Sequence, residues 1–358
     1  MQPPVANFIR FPGHRLPMVE AETASNRSKG AGQLMIAMVL IGLAAGCASA
    51  LMFASIISGA LISVLLFYLA PLPLMVAAIG WGPLCAAIGG IAAASGLGAI
   101  FGLNYCIAFA VAVALPGWWL GHLVLLGRPH AGAASSGNGA APVAPDLEWY
   151  PVGRILFWLA GLAALTTFAA LLTLGTDAAT ITDMLRRGVT RIFNPPNEPA
   201  PAELAQWVDA MVALAPFAAA SVAMPTLTLN LWLAARIAAT SGRLHRPWPD
   251  LRAASLPPAA LVVLCVAAAL CFAGGLLSIL AQIVTSALMM AYAFTGFAVL
   301  HTLTLALKSR AFWLGSTYAI VVLFVWPVLA MVVLGVADAA FGLRQRYLRS
   351  RPPPLPAP

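Results

Sequence analysis

The chain is 358 residues long, 61% hydrophobic and only 8% charged, with a mean hydropathy of +0.92. A soluble domain needs more charge than that to keep its surface wetted, so the composition excludes one. The net charge of +8 sits in basic residues that flank apolar segments, which points to topogenic charge and an anionic bilayer rather than nucleic acid.

Residues 1–32 are polar and mixed, too long for a signal-peptide n-region, and read as a cytoplasmic tail that is not cleaved. From Gly30 to Gly127 there is no Asp, Glu, Lys or Arg. At about 20 apolar residues per crossing, that stretch holds four spans, over roughly 33–53, 58–80, 82–102 and 104–127. Breaks fall at Ser55 to Gly59, at Gly80 to Pro83 and at Gly102 to Asn104. Pro71 and Pro73 withhold two backbone donors inside span two, so that helix is expected to kink and to be enclosed by protein. Residues 128–152 are rich in Ala, Gly, Ser and Pro and read as a flexible linker.

Span five covers about 154–176. Over 178–193, Ile181, Leu185, Val189 and Ile192 share one helical face, with Asp183, Arg186, Arg187 and Arg191 largely opposite. That pattern predicts an amphipathic helix in the membrane interface, ended by Asn194, Pro195 and Pro196. Span six (207–236) is longer than the bilayer requires; a basic loop (237–255), spans at 256–274, 277–306 and 311–337, and a basic, Pro-rich tail (339–358) follow. The fold class is therefore all-α: a polytopic transmembrane helix bundle of eight or nine spans plus one interfacial helix. A six-helix unit at 33–236 precedes a three-helix segment at 256–338.

Arg10, Arg15, Arg27 and Lys29 place the N-terminus in the cytoplasm, and Arg243, Arg246, Arg252, Lys308 and Arg310 then fall on the same side. Nine crossings would strand Arg344, Arg346, Arg349 and Arg351 outside, so either one segment fails to cross or the tail is an exception.

Span one carries Gly42, Gly46 and Ala50 at small-xxx-small spacing, a face for packing within the bundle or for docking a membrane partner. Gly98 and Gly102 repeat the spacing in span three. Span six is the most polar helix, with Ser221, Thr226, Thr228 and Asn230 around Pro225. In one reading Ser and Thr bond their own backbone and Asn230 joins two helices. In the other these residues line a cavity for a small molecule with Asn104, Tyr105, Thr166 and Thr167. The second makes Asn104, Thr226, Thr228 and Asn230 the candidate ligand-binding set. His122, His301 and Asp209 lie near span ends and read as interfacial anchors. The five cysteines fall in apolar segments without ligand spacing, so buried free thiols are expected, with neither metal site nor cofactor. No GxSxG, HExxH, P-loop or paired-carboxylate pattern occurs, and a non-enzymatic role is expected.

Four landmarks together resemble the YybS-like family of uncharacterised bacterial polytopic membrane proteins: Leu69 to Leu74 with Gly82 and Pro83; Pro225 before a basic loop; Thr295, Gly296 and Phe297; and Leu334 to Asp338 followed by Phe341 to Arg346. Where the family pattern has an acidic residue between Phe341 and Leu343, this chain has Gly342. That family is distantly similar to the substrate-binding components of energy-coupling-factor transporters. The resemblance implies a six-helix bundle with both ends cytoplasmic, a small molecule bound near the outer face, and a partner docked on the small face of span one. The function implied is a transporter-like, small-molecule-binding membrane component. The alternative is a scaffold for an envelope-associated assembly, favoured by the expected absence of a buried charged pair and by the cytoplasmic basic loops.

Overall fold

A computed structural model describes residues 17–129, 147–193 and 202–349. The first half of the expected N-terminal tail, the middle of the linker, the Asn194-Pro195-Pro196 stop and the Pro-rich end of the C-terminal tail lie outside the described residues. The protein is an all-α, multi-pass membrane bundle: among the described residues seven helical segments, two of them interrupted, are long and apolar enough to cross a bilayer.

The first four spans follow the breakers. Helix α1 (Pro17–Ala54) includes the second half of the expected polar tail, its apolar span starting at Gly32. Span two is two helices, α2 (Leu61–Leu69) and α3 (Pro71–Trp81), joined at Ala70, where the two prolines withhold their donors. Helix α4 (Pro83–Phe101) lies between two tight glycine turns, Gly82 (φ 101) and Gly102 (φ 94), conformations that a side chain would strain. Span four comprises α5 (Leu103–Phe109), a π turn (Ala110–Ala114) and α6 (Leu115–Leu125). The π turn lies just ahead of Pro116, which cannot donate to the preceding turn, and the Leu115 N–H reaches Ala110 O instead.

The ends of the expected flexible linker are ordered: β1 (Gly127–Pro129) pairs antiparallel with β2 (Leu147–Trp149), with Arg128 2.8 Å from Glu148. Helix α7 (Val152–Leu172) is span five. The amphipathic helix is α8 (Ala178–Phe193), with Ile181 buried. Arg186 ties it to Asp209 at 2.8 Å, at the start of α9 (Ala202–Thr240).

Contacts sort the helix ends into two faces. Arg243 stacks on Trp81 at 4.3 Å, and Ser255 O lies against Gly153. The turn after α3, the start of α7 and the loop after α9 therefore share one end, the basic end. The α1–α2 turn, Asn104, Thr173, α8 and Asp209 lie at the opposite end.

The last third departs from the expected three spans. Span seven is a 13-residue helix, α10 (Pro258–Leu270), too short to cross alone. Pro257 and Pro258 set its start, and the chain from Ala254 to Pro257 is extended. Four extended residues add about 13 Å to about 20 Å of helix, so segment 254–270 is long enough as a composite to match the roughly 30 Å hydrocarbon layer. Helix α11 (Gly275–Leu303) returns through the centre of the molecule, packed on α7, α9, α10 and α13.

Span nine is broken. Val325 (φ 59), Trp326 and Pro327 separate α12 (Arg310–Phe324) from α13 (Val328–Phe341). Helix α13 runs parallel to α11: Gly335 meets Tyr292 O, Gly296 meets Met331 O, and just beyond α13 Tyr347 Oη donates to Leu303 O at 3.1 Å. Helix α12 packs on the turn at 304–306 just beyond α11, and Tyr318 further along it stacks on Phe297 at 5.2 Å, so α12 runs the other way. The 14 residues of α13 cover about 21 Å against about 43 Å for α11, and the two end together. The hairpin tip is therefore beside the middle of α11, and the pair is re-entrant. This resolves the charge count: helix α14 (Leu343–Arg349) emerges at the basic end, bent 67° from α13, with Arg344 on the carbonyls of Arg252 and Ala254.

Two hydrophobic clusters form the core. One, in α1–α6, centres on Phe53, Leu74, Ala86 and Phe109; the other joins α3 and α6 to α7, α9, α11 and α13 around Met75, Leu159, Met224 and Ile283.

Candidate functional site

The two halves of the bundle are tight against each other where α3 packs on α6 and α9, but α5 and α7 part toward the end opposite the basic one. They leave a cleft of about 540 Å³, lined by Phe53, Phe67, Asn104, Val111, Thr166 and Thr173 among others. The π turn forms part of its wall, through Val111 and Ala112. Thr166 and Thr173 bond the carbonyls of Ala163 and Ala170, at 3.1 and 2.6 Å. The Asn104 amide, exposed at the rim, makes no hydrogen bond with a described residue. The cleft is thus mostly apolar with a few polar groups at one end, the usual make-up of a small-molecule pocket.

Two of the residues expected to converge, Asn104 and Thr166, do meet in this cleft, but span six is not in its walls. Thr226 and Thr228 donate to Val222 O and Met224 O, at 2.8 Å each. The Ser221 and Ser286 hydroxyls are 2.7 Å apart and both lie within hydrogen-bond reach of Phe217 O; with one proton each, one donates to that carbonyl and the other to its neighbour's oxygen, joining α9 to α11. Asn230 is fully buried; its amide donates to Tyr68 O at 2.8 Å and to Thr226 O at 2.9 Å, while its own oxygen has no partner. Tyr68 is two residues from the α2–α3 joint, so Asn230 pins a proline-weakened point of span two to span six. Of the two readings of Asn230, the geometry matches the joining of two helices.

The small face of span one is occupied from within. A Cβ at Gly42 would strike Cys85 O, and one at Gly46 would strike Gly89 O; Ala50 packs on the Phe53 cluster. Helix α4 takes up the surface that a docking partner would need. Of the expected anchors, His122 lies against Trp118 and Trp119, and His301 Nδ1 is 2.9 Å from Phe297 O. All five thiols are free, but Cys85 alone is buried, while Cys47 and Cys265 are exposed on the apolar exterior.

The basic end contains what the sequence reading did not foresee, a buried ion pair. Arg344 and Asp338 meet at 2.7 Å, with side chains 10% and 8% exposed. The Arg344 N–H donates to Asp338 Oδ1 at 2.8 Å, and Nε to Oδ2 at 2.8 Å; Nη1 donates to Arg252 O and Ala254 O, at 2.6 and 2.9 Å. Gly342 ends α13 at φ 64, a conformation disfavoured for the acidic residue of the family pattern. The spacing of Asp338 and Arg344 across a glycine stop was the available signal. The pair borders a cavity of about 500 Å³ that also takes in Asp250, Tyr292 and Thr302. Asp250 is held below the usual carboxylate range by the backbone N–H and then the side chain of Arg252. Arg344 spends most of its donors on Asp338 and the two carbonyls, so it acts as a clasp between the re-entrant hairpin and the loop that precedes α10.

In comparison with known proteins, no family model, curated protein or solved structure matches the chain.

Proposed function

We propose that the protein is a non-enzymatic, transporter-like component of a bacterial cytoplasmic membrane that holds a small molecule in the α5–α7 cleft. The basic end then faces the cytoplasm with the N-terminus, and the cleft opens toward the outer face. The observation that carries this reading is the cleft itself: its volume of about 540 Å³ falls within the range of ligand pockets. Its ligand is expected to be largely apolar, with one or two polar groups that reach Asn104, Thr166 or Thr173. The resemblance to energy-coupling-factor substrate-binding components points the same way. The scaffold alternative keeps the basic loops but not the absence of a buried charged pair, since Asp338 and Arg344 form one; α4, for its part, fills the small face of span one on which the transporter resemblance would dock a partner.

The test is native mass spectrometry of protein extracted from its own membranes, compared with an Ala169→Trp variant that fills the cleft. The wild type should release a non-lipid molecule that the variant lacks, with both equally stable to heat. Identical bound masses in the two proteins, or none in either, would overturn the reading.

A further inference from the structure

The loop after α9 crowds arginines onto aromatic rings. Arg236 lies over Trp248 at 5.2 Å and Trp232 at 5.8 Å, and Arg243 over Trp81 at 4.3 Å. Arg246 is 9% exposed and makes no hydrogen bond or ion pair with a described residue. Burial alone pushes its pKa below that of a free guanidinium. A guanidinium this far withdrawn from water, though not sealed from it, gains from an anion that offsets the lost hydration. Three carboxylates near this loop are engaged elsewhere: Glu148 with Arg128, Asp250 with Arg252 and Asp338 with Arg344. Beneath the same loop lies a slot of about 160 Å³ between α6, α7 and α9, walled by Val124, Ile155, Leu156, Leu231 and Trp248 among others, with Arg246 on its border. Thr228, the hydroxyl residue in its wall, has spent its proton on Met224 O. The slot is at the level where α7 begins and α9 ends, within reach of the bilayer. Trp232 and Trp248 are 45% and 42% exposed beside it, as side chains of a membrane–water boundary are.

We propose that this corner is a specific site for one anionic phospholipid. Arg246 and Arg236 hold its phosphate, and part of one acyl chain occupies the slot. An uncovered cation and an almost wholly apolar cavity at a membrane boundary are complementary to a charged headgroup joined to a hydrocarbon tail. Neither a soluble phosphate nor a neutral lipid would satisfy both.

The test uses the full chain in a neutral detergent, titrated separately with dioleoyl phosphatidylglycerol, dioleoyl phosphatidylcholine and inorganic phosphate. Lipid retention is read by native mass spectrometry and stability by thermal melting. The first phosphatidylglycerol molecule should be retained about tenfold more tightly than phosphatidylcholine, a difference of about 1.4 kcal/mol, and should raise Tm. Arg246→Gln should abolish that preference. Arg236→Gln is the second variant should the first not fold, and should weaken the preference severalfold. Arg243→Gln, which alters a cation on Trp81 away from the slot, should leave it unchanged. Ala235→Trp, which fills the slot, should remove the preference while the protein stays folded. Equal retention of the two lipids would overturn the site. So would an equal effect of Arg243→Gln and Arg246→Gln, which would reduce it to bulk charge. Inorganic phosphate alone producing the full rise in Tm would overturn the assignment of a lipid.

Discussion

Removing Arg344 should be the most damaging single change at the basic end. The Arg344→Ala variant deletes the guanidinium, which leaves Asp338 at 8% exposure without its cation and frees the carbonyls of Arg252 and Ala254. Breaking a buried pair from one side costs about 3–5 kcal/mol. Two orphaned carbonyls could add about 1–3 kcal/mol each, but the adjoining 500 Å³ cavity admits water to them. The expected loss is therefore about 3–5 kcal/mol in all. Asp338→Leu/Arg344→Leu, which removes both charges, should be less harmful than the sum of its single changes by at least about 2 kcal/mol, within the range for coupled neighbours. Reversible unfolding in mixed micelles, with denaturing detergent as the titrant, measures all three. Additive single effects, within about 0.5 kcal/mol, would refute the coupling and with it the clasp.

Asn230→Leu should lower stability by about 1–2 kcal/mol, the upper part of the range for hydrogen bonds between membrane helices; the same unfolding assay checks it, and no change would mean that the Tyr68 bond contributes nothing. Gly46→Val drives side-chain atoms into Gly89 O and should separate α1 from α4, read as loss of an engineered Ser49→Cys/Ala93→Cys cross-link in a background without the native thiols. Single cysteines at Ser241 and Gln345 in that background should both resist a membrane-impermeant thiol reagent in intact cells and both react in inverted vesicles; opposite behaviour of the two would show that the α12–α13 pair crosses the membrane.

The long helices were legible because a span needs only length and apolarity, and the uncharged run up to Gly127 supplies both. The breaks were legible where Gly and Pro mark them, as at Gly82 and Pro71. Span seven was read too long because hydropathy cannot distinguish an extended apolar segment from a helical one: Leu256 and Pro257 precede the helix, which covers only Pro258–Leu270, and the Ala254 carbonyl just ahead of them is met by Arg344. Span nine was misread for a related reason. Trp326 and Pro327 are apolar enough to pass within a hydrophobic window, and a positive φ at Val325 has no sequence signature. The sequence signal against a ninth full crossing was the charge of Arg344, Arg346 and Arg349, which such a crossing would part from the other basic loops. At the candidate site, Asn104 and Thr166 were legible as polar groups on apolar helices, but the cleft that joins them depends on where α5 and α7 separate, a tertiary property. Asn230 was visible as a polar residue in a span, while its partner, a backbone carbonyl 162 residues away, has no side-chain identity to read.

The reliance of residues 254–270 on Arg344 has a consequence for biosynthesis. Arg344 follows Ala254 by 90 residues, so at about 5–20 residues per second the seventh crossing waits roughly 5–18 s for the side chain that secures it. During that interval a 13-residue helix too short to span the bilayer alone is threaded, followed by α11, and then by a hairpin that, with the basic end cytoplasmic as proposed, re-enters from the side where the ribosome stands. The nascent chain therefore cannot settle its topology strictly in order of synthesis. Its seventh crossing becomes final only after the last charged turn has left the ribosome, and a chain truncated before Leu343 should be surveyed by the cell as an unfinished membrane protein even though every long span is already made.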